Sequence, residues 1–86
     1  MGTKAIKFYA DWCGPCRTYA KTWDKVSEEV EDVEFISINV DKDTTGLAAE
    51  YKVRSIPMTV VLKEDGTILK ETGLLSEIKL KELILF

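Results

Sequence analysis

The chain has 86 residues, 45% of them apolar, and a formal net charge of -3, which allows one domain over 1–86 and disfavours a nucleic acid or an anionic membrane as partner. Two cysteines and no histidine cannot complete a structural zinc site unless a second chain adds ligands, so no metal and a monomeric chain are expected. No run approaches the roughly 20 apolar residues of a membrane span, and Met1-Gly2-Thr3-Lys4-Ala5-Ile6 lacks the apolar core of a secretion signal, so the expected setting is cytoplasmic.

Ala5 to Ala10 is a short apolar-rich run with Ile6, Phe8 and Ala10 on one face, predicting a strand that feeds a loop at Asp11-Trp12-Cys13. From Pro15 onward Cys16, Ala20, Trp23, Val26 and Val30 recur at helical spacing, and Pro15 suits the first helical turn, where its missing N–H is harmless. Val33 to Val40 is a second strand candidate whose alternation leaves room for burial on both faces. After Asp41-Lys42-Asp43, Leu47, Ala48 and Tyr51 mark a short helix ending near Lys52.

Met58 to Leu62 and Thr67 to Thr72, separated by Glu64-Asp65-Gly66, predict a hairpin. From Ser76, an N-capping type, Ile78, Leu80, Leu83 and Ile84 predict a closing amphipathic helix. The resulting order is β-α-β-α-β-β-α. It implies an α/β fold with a mixed four-stranded sheet, the first two strands parallel through a crossover helix and the last two antiparallel.

Both cysteines lie in Trp12-Cys13-Gly14-Pro15-Cys16, at a strand end and a helix start. Unpaired backbone N–H groups and the helix dipole favour negative charge there, so Cys13 is the expected thiolate nucleophile. Cys16, one turn along, is placed to attack the mixed disulfide that Cys13 forms with a substrate. A passive disulfide or two packing residues is the bland alternative, disfavoured because Gly-Pro between the cysteines marks a shaped turn.

Trp12-Cys13-Gly14-Pro15-Cys16 resembles the active-site motif of thioredoxins, including its Gly-Pro spacer. Asn39-Val40-Asp41 resembles that family's third-strand ending, Ser55-Ile56-Pro57 its cis-proline loop, and Gly73 its glycine after the hairpin. The resemblance spans nearly the whole chain. It implies a thioredoxin-like fold reduced to a minimal core, and a protein-disulfide reductase that needs no cofactor beyond the redox-active Cys13–Cys16 pair. Its implied partners are disulfide-containing client proteins and, as electron donor, a thioredoxin reductase or the glutathione system. A glutaredoxin-like, glutathione-dependent enzyme and a non-catalytic binding subunit are the competing functions.

The same likeness implies a cis Ile56–Pro57 bond that holds the Ile56 backbone beside Cys13 for an extended substrate segment. It casts Trp12 as a surface indole for client contact, with Trp23 the core tryptophan. Trp12, Gly14, Pro15, Ile56, Pro57 and Gly73 are thus the implied substrate-binding positions, and Leu74 joins Trp12 and Ile56 in an exposed apolar patch.

Three departures from the family pattern stand out. Only about ten residues precede Asp11, so the family's outer strand and helix have no counterpart there, and the sheet edge so exposed is expected to be blunted by Lys4 and Lys7 or covered by another chain. Lys21 stands where the family's helix carries a proline. Lys7 occupies the place of the family's buried Asp, and Ser37 that of its partner lysine. The favoured reading turns Lys7 to solvent; the other puts it under the disulfide, where a cation favours thiolates and raises the reduction potential, or relays a proton.

Overall fold

The computed structural model describes residues 2–86; Met1, the first residue of the segment read for a secretion signal, lies outside the described residues. The elements are β1 (Thr3–Tyr9), α1 (Gly14–Glu29), β2 (Val33–Asn39), a 3-10 turn (Val40–Lys42), α2 (Leu47–Glu50), β3 (Met58–Leu62), β4 (Ile68–Thr72) and α3 (Glu77–Leu85). Apart from the 3-10 turn, this is the predicted order. The strands form one sheet in the order β2-β1-β3-β4, with β1 parallel to β2 and antiparallel to β3, and β3 antiparallel to β4.

β1 lies inside the sheet, so Ala5, Ile6, Lys7 and Phe8 are all buried. Side chains alternate across a strand, and two cores result. On one face Ala5 and Val61 pack with Tyr19, Trp23 and Val26 of α1 and with Leu75, Leu80 and Ile84 from the α3 end. On the other, Ile6, Phe8, Ile38, Met58 and Val60 form a second cluster, packed by Leu47, Ala48 and Tyr51 around α2.

That topology overturns the expected role of Lys4 and Lys7 at a bare edge. The outer strands are β2 and β4, and Lys4 reaches across from β1 to Glu34 of β2 at 3.9 Å in an exposed pair. Two local expectations also shift. Thr67 belongs to the turn: Lys63 N–H donates to its carbonyl at 2.8 Å and Asp65 Oδ1 accepts its N–H at 2.9 Å, so β4 begins at Ile68. Ile78 is 74% exposed, because at 100° per residue it lies opposite the stripe of Leu80, Leu83 and Ile84; Leu75, just ahead of the helix, fills the core instead. Ser76 caps α3 as predicted, its Oγ accepting Lys79 N–H at 3.1 Å.

α1 runs uninterrupted through Lys21. Its buried stripe is Cys16, Tyr19, Trp23 and Val26, a spacing that keeps one face on the sheet. Tyr19 was absent from the predicted stripe, which had Ala20 in its place. The phenol is fully buried and its oxygen lies 2.6 Å from Thr59 Oγ1 of β3, so both hydroxyls are satisfied inside the core, as buried polar groups require.

Candidate active site

β1 delivers the chain to Ala10, whose carbonyl accepts Cys13 N–H at 3.2 Å and tightens the loop into α1. Cys13 is the N-cap, extended at φ -87° and ψ 110°, with Pro15 in the first turn. Its Sγ accepts the Cys16 N–H at 3.2 Å, so the sulfur occupies the place of a capping oxygen among otherwise unpaired helix donors. Negative charge developing on that sulfur meets an N–H and the positive end of the helix dipole.

Cys13 and Cys16 are joined as a disulfide with Cα atoms 5.2 Å apart. Both are buried, while Gly14 and Pro15 between them are exposed. Arg17 Nη2 donates to the Asp11 carbonyl at 2.9 Å and braces the loop from outside.

The loop before β3 meets the pair from the far side of the sequence. Ile56–Pro57 is cis, and the Ile56 carbonyl oxygen lies 3.9 Å from Cys13 Sγ. Pro57 is buried, and its carbonyl accepts Gly73 N–H at 2.8 Å. Gly73 has φ +89°, the left-handed region where only glycine is unstrained, so this residue lets the chain leave β4 while clamping the proline loop. Leu74 beside it is exposed and Ile56 half-buried.

Trp12 is 69% exposed, and its indole N–H donates to Asp41 Oδ2 at 2.7 Å. Asp41 sits in the 3-10 turn that follows β2, and Asn39 Oδ1 accepts its N–H at 3.0 Å. Sequence reasoning quoted Asn39-Val40-Asp41 without seeing that it anchors the indole. The available signal was an acid immediately after a strand parallel to the one that ends at the tryptophan loop. Trp12, Cys13, Gly14, Pro15, Cys16, Ile56 and Pro57 therefore gather at one end of the sheet, with Gly73 joined through Pro57.

Lys7 does not point to solvent. Its side chain is buried at 6% exposure on the α1 side of the sheet, and it lines a cavity of about 530 Å³ together with Cys16, Asp24 and Ser37. The β1 register accounts for this: Lys7 lies opposite Ser37 on β2 and Thr59 on β3, so neither neighbour offers a charge. Its Nζ lies over the Tyr9 ring at 5.2 Å and the Trp23 ring at 5.6 Å. Burial pushes the ammonium below its ordinary range, and the nearby Asp24 carboxylate pulls it back.

The arrangement combines a capped cysteine, a second cysteine one turn on, a backbone carbonyl beside the first sulfur and an exposed indole. Those are the parts needed to hold an extended segment against a sulfur and exchange a disulfide with it. Among the described residues no three potential metal-ligating side chains of His, Cys, Asp or Glu come together, and no helix is long and apolar enough to cross a membrane.

Comparison with known proteins agrees with this geometry. The sequence profile of the family described as Thioredoxin matches residues 2–85. A thioredoxin of Mycoplasmoides gallisepticum is 36% identical over 80 residues, covering 92% of this chain and 78% of that protein. One from Mycoplasma pneumoniae is 46% identical over 61 residues, covering 71% and 58%. The X-ray structure of Fasciola hepatica thioredoxin superposes with a TM-score of 0.84 at 36% identity, covering 96% of this chain and 78% of the other. With a strand-to-helix Cys-Gly-Pro-Cys disulfide facing a cis-proline loop, and a family match along almost its full length, this chain belongs to the thioredoxin family and is a thiol-disulfide oxidoreductase.

Proposed function

We propose that the chain reduces disulfides in client proteins by dithiol exchange, with Cys13 as nucleophile and Cys16 as resolving thiol. The observation that carries the reading is the position of Cys13 Sγ, which accepts Cys16 N–H and lies 3.9 Å from the Ile56 carbonyl. A client strand laid along Ile56 and Pro57 brings its disulfide to the one sulfur that the helix end favours as thiolate. Cys13 attacks and forms a mixed disulfide, releasing one client thiolate. Cys16 then attacks the Cys13 sulfur, releasing the second and closing Cys13–Cys16.

In this reading Trp12, held by Asp41, is a rigid apolar platform for the client. Exposed Gly14 and Pro15 keep the approach open, and Gly73 holds the proline loop in place. The chain acts as one unit over 1–86, as a monomer, in the cytoplasm and without a bound cofactor. A thioredoxin reductase or a glutathione system returns the electrons.

Equilibration in graded thiol-disulfide buffers tests the reading. A Cys13–Cys16 potential of roughly -270 to -200 mV is expected for a cytosolic reductant. A value nearer about -120 mV would identify an oxidant, and failure to form the intramolecular disulfide would remove the dithiol mechanism. Turnover driven by glutathione alone would move the chain to the glutaredoxin-like reading.

A further inference from the structure

Lys7 is a buried amine lodged between the sheet and the helix that carries both cysteines, and among the described residues no carboxylate lies within ion-pairing distance of it. The cavity it lines contains Cys16 and not Cys13. The charges facing that space come from α1 and the active-site loop: Asp24 and Arg17 on the helix, Asp11 before it. β1 offers the Tyr9 ring, β2 only Ser37, and β3 only Thr59, whose hydroxyl is taken by Tyr19. Two aromatic faces on Nζ favour the charged amine over the neutral one.

We infer that the Lys7 ammonium is a built-in counter-charge for the Cys16 sulfur, acting in the resolving step of the dithiol exchange proposed above. In that step the Cys16 thiol, itself buried, must give up its proton where an unpaired anion is costly. Cys13 has a helix N–H for this purpose; Cys16 lies inside the first turn and relies on what fills the cavity below. The proton leaves to water in the cavity, and the Cys16 thiolate attacks Cys13 Sγ. The Cys13–Cys16 bond forms, the Cys13–client bond breaks, and the client departs as a thiolate that takes up a proton from solvent. The two electrons of the new client thiols are those given up by the cysteine pair.

Lys7 touches no reacting atom of the client and is a positioning residue rather than a catalytic one. Its contribution separates from that of the fold by comparing the two cysteines. Lys7→Met keeps length and burial while removing the charge. In this variant, release of a peptide from its mixed disulfide with Cys13, followed by rapid acid quench and mass spectrometry, is expected to slow about tenfold at neutral pH. The midpoint of the pH profile of that release moves up by about one pH unit. Alkylation of Cys13 in a Cys16→Ser background changes less than about threefold on adding Lys7→Met, because the N–H that faces Cys13 is untouched.

An unchanged release rate and pH profile in Lys7→Met would overturn the inference, as would equal slowing at both cysteines. If Lys7→Met does not fold, Lys7→Gln is read in the same way. Failure of the unsubstituted protein to form a mixed disulfide at all would instead strike the dithiol mechanism on which this inference rests.

Discussion

The two faces of the sheet are built to different specifications. Towards α2, Ile6, Phe8, Ile38, Met58 and Val60 make a core of hydrocarbon and thioether alone. Towards α1 and α3 the same strands contribute Lys7 and Thr59, and the helix adds the Tyr19 hydroxyl and the Cys16 sulfur. An unpaired polar group in such a layer costs about 1–3 kcal/mol; the two hydroxyls pair with one another, and the ammonium lies over two ring faces with the Asp24 carboxylate farther off. The contrast teaches that both faces carry an apolar core, while buried polar groups among the described residues are confined to the face that also carries the cysteine helix.

Substitutions on the two faces sharpen or break that division. Cys13→Ser is expected to abolish reduction of a disulfide-bonded test protein, with urea-unfolding stability matching that of the reduced unsubstituted chain. Residual turnover would dissociate activity from the capped sulfur. On the opposite face, Phe8→Ala should cost about 3–5 kcal/mol in the same unfolding experiment while leaving the rate per folded molecule intact. A fall in that rate would mean that the apolar layer also shapes the site.

A subtler distinction lies in alkaline stability. Burial, moderated by the Thr59 hydrogen bond, pushes the Tyr19 phenol from 10.0 up to about 12. The folded state therefore holds its proton longer than the unfolded chain. This contribution is complete below pH 10.0, fades as pH rises towards about 12, and amounts to about 2–3 kcal/mol. Unfolding free energies measured from pH 9 to about 12 should show that decline in the unsubstituted protein and lose it in Tyr19→Phe. An identical pH profile in the two would show that Tyr19 is not what couples this layer to pH.

Element order, the parallel first pair and the hairpin were legible because they follow from hydrophobic period and turn chemistry, both local properties. The cysteine pair was legible for the same reason: spacing, a strand before and Pro15 after. The expectation for Lys7 fails because its environment is set by tertiary packing. β1 lies between β2 and β3 and α1 covers the face to which Lys7 points, and nothing local in Ile6-Lys7-Phe8 reveals what will cover that face. Tyr19 and Asp41 escaped for a related reason. Their partners, Thr59 and Trp12, lie 40 and 29 residues away, and long-range hydrogen bonds leave no periodic trace. Ile78 differs for another reason, since on a helix it points opposite Leu80, Leu83 and Ile84 although all four are apolar.

Gly14 has a consequence for how this protein can change over generations. A methyl group placed on it would meet nothing within 4 Å, and its backbone lies outside the left-handed region that demands glycine. The intervening Gly-Pro pair is thus decoupled from the packed interior. Substitution at these two exposed residues leaves the contacts of the buried core in place. The surface that a partner meets at the sulfurs can therefore diversify while the fold beneath it stays the same.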